Sequence, residues 1–130
     1  MATLDIKADE FDGIVEGNDI VIIDFWAEWC GPCKSFAPTY EATSEKEEYK
    51  DIVFGKVDTA AEQALAGAFQ IRSIPTLMIF REQVGLFRQP GVLNEEQLDD
   101  LIKQIRALDM DEVRKDIAEQ AAEAEADQAN

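Results

Sequence analysis

Residues Ile20-Val21-Ile22-Ile23-Asp24-Phe25-Trp26 form a nearly continuous apolar, β-branched run, interrupted only by Asp24. A strand with one wet face alternates apolar and polar side chains. An unbroken run belongs instead to a strand covered on both faces. The run therefore requires a sheet with helices packed on each side. After Ala27-Glu28-Trp29 the chain reaches Cys30-Gly31-Pro32-Cys33. Pro32 suits the first turn of a helix, where its missing N–H costs nothing.

The rest of the chain is read around that strand. Thr3 to Lys7 alternates and suits a short edge strand, and Phe11, Ile14 and Val15 share one face of a helix over 8–16 that Gly17-Asn18 stops. A long helix is expected from Cys33 to Tyr49, a strand over 52–58 and a helix over 60–69. Pro75 to Phe80 and Gly85 to Gln89 read as two strands joined by a turn. Asn94 is a candidate N-cap with Gln97 as its capping-box partner, and Leu98, Leu101, Ile102, Ile105 and Leu108 line one face of the helix that follows. The order βαβαβα then ββα predicts an α/β fold with a parallel βαβ half and an antiparallel hairpin.

Charge and composition remove several classes of function. The 130 residues carry a formal charge of −16, which disfavours nucleic acid and anionic membrane surfaces as partners. No apolar run approaches the roughly 18 residues that span a bilayer. The N-terminus lacks a basic segment followed by an apolar one, which reads as cytoplasmic. Histidine is absent, and with it Ser-His-Asp and Cys-His catalysis and most zinc sites.

Two cysteines separated by two residues admit three readings. A metal half-site needs further Cys or His ligands, which the chain does not contain, so that reading survives only as a site shared between subunits. A purely structural disulfide closing so short a loop restrains the unfolded chain little. The third reading is redox chemistry, which the strand-to-helix position favours. There, unpaired N–H groups and the helix dipole stabilise a thiolate on Cys30, whose ordinary thiol pKa is about 8.5. Cys33, one turn inside the helix, is expected to be more buried. This assigns Cys30 as nucleophile and Cys33 as resolving thiol.

Two further positions invite a chemical role. Asp24, inside the apolar run, is either a carboxylate at a solvated sheet end or a buried carboxyl of raised pKa that takes a proton from Cys33, through water if need be. Lys56 is either its modulating neighbour or an ordinary exposed lysine. Ser73-Ile74-Pro75-Thr76 precedes a strand; Pro75 there is a plain strand-start proline or a cis peptide that exposes the Ile74 backbone to an extended partner.

These residues resemble the thioredoxin family. The likeness is carried by Asp24-Phe25-Trp26-Ala27-Glu28-Trp29-Cys30-Gly31-Pro32-Cys33-Lys34, Ala37-Pro38, Lys56-Val57-Asp58, Ile74-Pro75-Thr76 and Gly91. It spans about residues 3–108. The resemblance implies a three-layer α/β/α thioredoxin fold around a central mixed five-stranded sheet. It also implies a cis Ile74–Pro75 bond facing the cysteines, a buried acid at Asp24 beside Lys56, and a substrate surface from Trp29, Gly31, Pro32, Ile74, Pro75 and Gly91. Oxidase and isomerase relatives usually place a histidine before the second cysteine. Gly31-Pro32 is the reductant's pair, because no imidazolium stabilises the dithiol form.

The implied activity is reduction of disulfide-containing substrate proteins. An NADPH-dependent flavoenzyme, thioredoxin reductase, would recharge the chain. No cofactor is expected beyond the Cys30–Cys33 dithiol, and the chain is expected to be a monomer. Two departures from the family pattern are expected to matter locally. Arg81-Glu82-Gln83-Val84-Gly85 replaces an Asn-Gly turn, suggesting a wider or shifted hairpin with Gly85 in the left-handed position. Pro90 beside Gly91 is the other.

The thioredoxin domain is read as 1–108. Residues 109–130 form an acidic, Ala/Glu-rich extension outside the resemblance, contributing −6 and helical to about Ala126 on propensity. An Ala/Glu-rich extension is most often a solvated helix; in the alternative reading, a partner-binding or co-chaperone module with secondary redox activity, it is the interaction element.

Overall fold

A computed structural model describes residues 2–129. Strands β1 (Thr3–Asp5), β2 (Ile20–Trp26), β3 (Val53–Asp58), β4 (Thr76–Arg81) and β5 (Val84–Pro90) form one sheet in the order β1-β3-β2-β4-β5. β1 and β2 run parallel to β3, while β4 is antiparallel to β2 and to β5. The central strand is the one that the apolar run required. Its side chains alternate between two cores. Ile20 and Ile22 pack with Phe36 and Tyr40 of α2 (Gly31–Ser44) and with Leu98, Ile102 and Ile105 of α4 (Glu95–Ala107). Val21, Ile23 and Phe25 pack with Phe11 and Val15 of α1 (Ala8–Gly17) and Leu65 of α3 (Gln63–Ala68). The result is the three-layer thioredoxin fold.

Three expectations needed correction. The helix expected as far as Tyr49 ends at Ser44, and a separate 3-10 turn covers Glu47–Tyr49. Thr43 and Ser44 donate their hydroxyls to the Thr39 and Glu41 carbonyls, a local bonding mode that competes with helix continuation. The helix expected from residue 60 begins at Gln63. Asp58 accepts the Ala60 and Ala61 N–H groups through Oδ1 instead, fixing a turn first. In the hairpin, Gly85 does not take the left-handed position. Glu82 and Gln83 do, at φ 51° and 69°, the geometry of a two-residue loop that follows strand twist. A bulge restores the pairing, since Ile79 opposes Phe87 and Phe80 opposes Gly85, leaving Leu86 as the extra residue.

Asn94 caps α4 as expected, with Gln97 completing the box at 2.8 and 2.9 Å. The other end of α4 is closed by Arg81, whose Nη1 donates to the carbonyls of Ile105, Arg106 and Leu108 at 2.9, 3.2 and 2.9 Å. A fifth helix, α5 (Met110–Ala129), follows at once. Only its start is held. Met110 is 5% exposed and Val113 half-buried, and Arg114 pairs with Glu82. Ile117 is 45% exposed and residues 118–128 are all exposed.

Candidate active site

The cysteine pair lies where β2 hands over to α2. Cys30 is the N-cap of that helix and Cys33 its third residue, so the helix N-terminus faces the sulfur directly. The two are joined in a disulfide with Cα atoms 5.3 Å apart. The Cys33 N–H points at Cys30 Sγ at 3.2 Å, so an orphan helix donor is already aimed at the atom that carries charge when the bond opens. Burial alone does not distinguish the two residues, contrary to the expectation for Cys33: Cys30 is 5% exposed and Cys33 3%. The asymmetry lies in the capping geometry.

Beside the disulfide stands the Ile74–Pro75 peptide, which is cis. Ile74 packs on the small cluster of Ala27, Cys30 and Cys33, and its carbonyl oxygen lies 3.6 Å from Cys30 Sγ. Gly91 joins this wall through its N–H, which donates to the Pro75 carbonyl at 2.9 Å. The φ of Gly91 is +107°, a region that side-chain-bearing residues rarely enter. Gly31 and Pro32 are exposed, and Trp29 is 74% exposed, whereas Pro75 itself is buried. Trp29 is the largest exposed apolar side chain of the described residues.

Asp24 sits on the α2 side of β2 and is 1% exposed. Its two carboxyl oxygens have no hydrogen-bond partner. Burial therefore pushes its pKa from 3.8 up to about 7, with Lys56 opposing the rise. The solvated-sheet-end reading is thus excluded. No direct hydrogen bond joins Asp24 to Cys33. Lys56 lies opposite Asp24 in the β2–β3 register, but its ammonium stands over the Trp26 ring, 4.7 Å from the centroid, rather than on the carboxylate. Beside it opens a cleft of about 210 Å³ bordered by Asp5, Lys7, Trp26, Lys56, Asp58 and Glu62.

Two residues of this neighbourhood escaped the sequence reading. Trp26 shares Asp24's face of β2 by the two-residue period, carries a buried indole N–H without a partner, and supplies the ring under Lys56. Tyr40 lies two helical turns beyond Cys33. Its fully buried hydroxyl lies 3.1 Å from the Ile22 carbonyl and 2.8 Å from that of Gly55, bridging β2 and β3 beneath Asp24. Burial first, and Asp24's charge second, raise its pKa well above the tyrosine value. The spacing of residues 33, 36 and 40 along one helix face was the available signal.

The thioredoxin family profile matches residues 2–106. The chain belongs to the thioredoxin family. It is 58% identical over 123 residues to a Streptomyces coelicolor protein assigned provisionally as thioredoxin 2, covering 95% of this chain and 90% of that protein. It is 36% identical over 95 residues to thioredoxin of Coprinus comatus, covering 73% of this chain and 89% of that one. Among solved structures it is similar to a mutant thioredoxin from Halobacterium salinarum, at TM-score 0.74 and 34% identity, over 82% of this chain and 93% of that one. The Streptomyces match runs well into α5, whereas the family match stops at residue 106.

Family membership and the Cys30–Cys33 pair together make the chain a thiol–disulfide oxidoreductase working by dithiol–disulfide exchange. Its described residues include no helix long and apolar enough to cross a membrane, and no cluster of three metal-ligating side chains.

Proposed function

We propose that the chain reduces disulfides in other proteins, with Cys30 as nucleophile and Cys33 as resolving thiol. The observation that carries this is Cys30 at the α2 N-cap with the Cys33 N–H directed onto its sulfur. In the reduced protein the Cys30 thiolate attacks one sulfur of a substrate disulfide, forming a mixed disulfide and releasing the other sulfur as a thiolate. Cys33 loses its proton and attacks Cys30 Sγ, expelling the second substrate thiolate. Two electrons pass to the substrate, whose sulfurs are protonated, and the Cys30–Cys33 bond re-forms.

Asp24 is the proton acceptor for Cys33. Because the two share no hydrogen bond, the transfer runs through water or a small shift of α2. Lys56 lowers the acid's pKa from one strand away, and so sets how much carboxylate is present near neutral pH. Trp29, Gly31, Pro32, Ile74, Pro75 and Gly91 receive the substrate backbone around the disulfide, the Ile74 carbonyl lying at the sulfur. The redox centre is the dithiol itself, with no bound cofactor. An NADPH-dependent flavoenzyme of the thioredoxin reductase class restores it, and the setting is the cytoplasm.

A Cys33→Ser variant exposed to cell lysate tests this reading. It accumulates mixed disulfides through Cys30, resolved by reducing versus non-reducing electrophoresis. Trapping no more than a Cys30→Ser control refutes it.

A further inference from the structure

Twelve Lys and Arg side chains stand against 28 carboxylates in this chain, and where the free ones lie is informative. Ion pairs hold Lys46, Lys50, Arg81, Lys103, Arg106 and Arg114. Arg88 is committed to the carbonyls of Phe69 and Gln70, and Lys56 to the Trp26 ring. Lys7, Lys34, Arg72 and Lys115 remain exposed and in no ion pair among the described residues. Lys7 precedes α1, beside Asp9 and Glu10 of its first turn, and Lys115 sits among the acids of α5.

The other two are at the disulfide. Lys34 follows Cys33 in the first turns of α2, its N–H bonded to the Cys30 carbonyl. Arg72 lies two residues before Ile74, whose carbonyl touches Cys30 Sγ.

The segments that frame the sulfurs are 26–34, 71–76 and 89–93. Their only charged residues are Glu28, Lys34 and Arg72, so this rim is net +1 in a chain of −16. Asp58 and Glu62, half-exposed at the cleft beside Lys56, are bonded to backbone donors. Asp58 accepts two backbone N–H groups through Oδ1, and Glu62 Oε1 accepts the Ala8 N–H at 2.7 Å. At physiological ionic strength, exposed charges act over only about 8 Å. A docked segment therefore feels this rim more than the distant acidic surface.

We propose that Arg72 and Lys34 read carboxylates beside the target bond, so that the chain favours protein disulfides flanked by acidic residues. The proposal rests on the reductase reading and names its substrate class. Charge complementarity of this kind sets encounter rate and partner choice more than bare affinity.

The test is single-turnover reduction of three synthetic peptides by pre-reduced protein freed of small thiols. The peptides share one intramolecular disulfide loop and differ only in flanking Glu, Gln or Lys. At about 20 mM salt the Glu peptide reacts about tenfold faster than the Lys peptide, and the ratio falls toward one at about 500 mM, where screening is nearly complete. Arg72→Gln lowers the ratio and Arg72→Glu with Lys34→Glu inverts it. A ratio within one protein cancels any change in thiol reactivity, so misfolding or a shifted thiol pKa does not mimic the result. Equal rates for the Glu and Lys peptides, or a preference insensitive to salt, overturn the proposal while leaving the reductase reading intact. If the wild type reduces none of the three, including the Gln peptide, both fall.

Discussion

Asp24 and Lys56 oppose each other across the β2–β3 ladder, yet the ammonium turns to Trp26 and both carboxyl oxygens of Asp24 stay unpartnered. The acid is therefore a cost to the fold whenever it ionises. Its pKa is about 7 in the folded chain against an ordinary 3.8. Below pH 4 both states hold the proton and there is no penalty. Between pH 4 and 7 the unfolded chain ionises while the folded one still binds the proton, so stability falls as pH rises. Above 7 the penalty is constant, at about 4 kcal/mol. Asp24→Asn removes that slope. Urea unfolding at pH 5 and pH 8 measures it: the wild type loses stability between the two, and the variant does not.

The same carboxyl predicts a kinetic signature. Once ionised, above pH 7, it accepts the Cys33 proton, so the resolving step of the wild type accelerates through neutrality. Asp24→Asn slows that step by at least about tenfold near pH 7.5. The gap narrows at alkaline pH, where hydroxide takes the proton without help from the carboxylate. Stopped-flow decay of a preformed mixed disulfide on Cys30 reports it, and superimposable pH–rate profiles remove Asp24 from the mechanism.

Much of this arrangement was legible because it is written in short-range patterns. The nearly continuous apolar run at Ile20–Trp26 placed a central strand, and the proline beside two cysteines placed a helix start. Asn94 with Gln97 placed another. What escaped depends on contacts between distant segments. Nothing in Thr43-Ser44 announces that α2 stops there, since both residues occur in helices elsewhere. The left-handed pair Glu82-Gln83 is anchored by the Glu82 N–H on the Asp19 carbonyl, 63 positions away along the chain. Gly85 was the residue with the lower intrinsic cost, and tertiary bonding overrode that preference. The shared face of Asp24, Trp26 and Tyr40 follows from two periodicities, but only the packed sheet and helix bring them together.

Tyr40 supplies a third prediction. Its hydroxyl has one proton for two buried carbonyls, on β2 and β3. Tyr40→Phe leaves those acceptors short of a donor and costs about 1–2 kcal/mol. Because the phenol's pKa lies well above its ordinary 10.0, it stays neutral throughout the working range. The loss is therefore the same at pH 6 and pH 8, and the Asp24 slope persists in the variant. A loss that grows with pH in urea titrations refutes this assignment.

Gly91 supplies a fourth. At φ +107°, any side chain is strained whatever space surrounds it, by roughly 1–3 kcal/mol. Relief by backbone rotation moves the N–H that is bonded to the Pro75 carbonyl. Gly91→Ala is therefore expected to lower the melting temperature and, more specifically, to raise KM for a disulfide protein substrate. A variant with unaltered melting temperature and KM shows that the conformation is neither strained nor coupled to Pro75.

The acidic extension divides at Arg114. Met110 is 5% exposed, and burying such a side chain is worth about 1.5–3 kcal/mol. The Arg114–Glu82 pair is 45% and 38% exposed on its two side chains, and such a pair contributes under about 1 kcal/mol. From Lys115 onward every described side chain is exposed. Moreover, Glu119, Glu123 and Asp127 stack like charges at i, i+4 and i+8, and the last turn carries no base to oppose the helix dipole. Truncation after Arg114 should change stability by less than about 0.5 kcal/mol. Truncation after Leu108 uncovers the Met110 site and should lower stability by about 2 kcal/mol, or roughly 5–10 °C in melting temperature. Differential scanning calorimetry of the two truncations separates these outcomes. Equal melting temperatures mean that Met110 does not seal the core in solution.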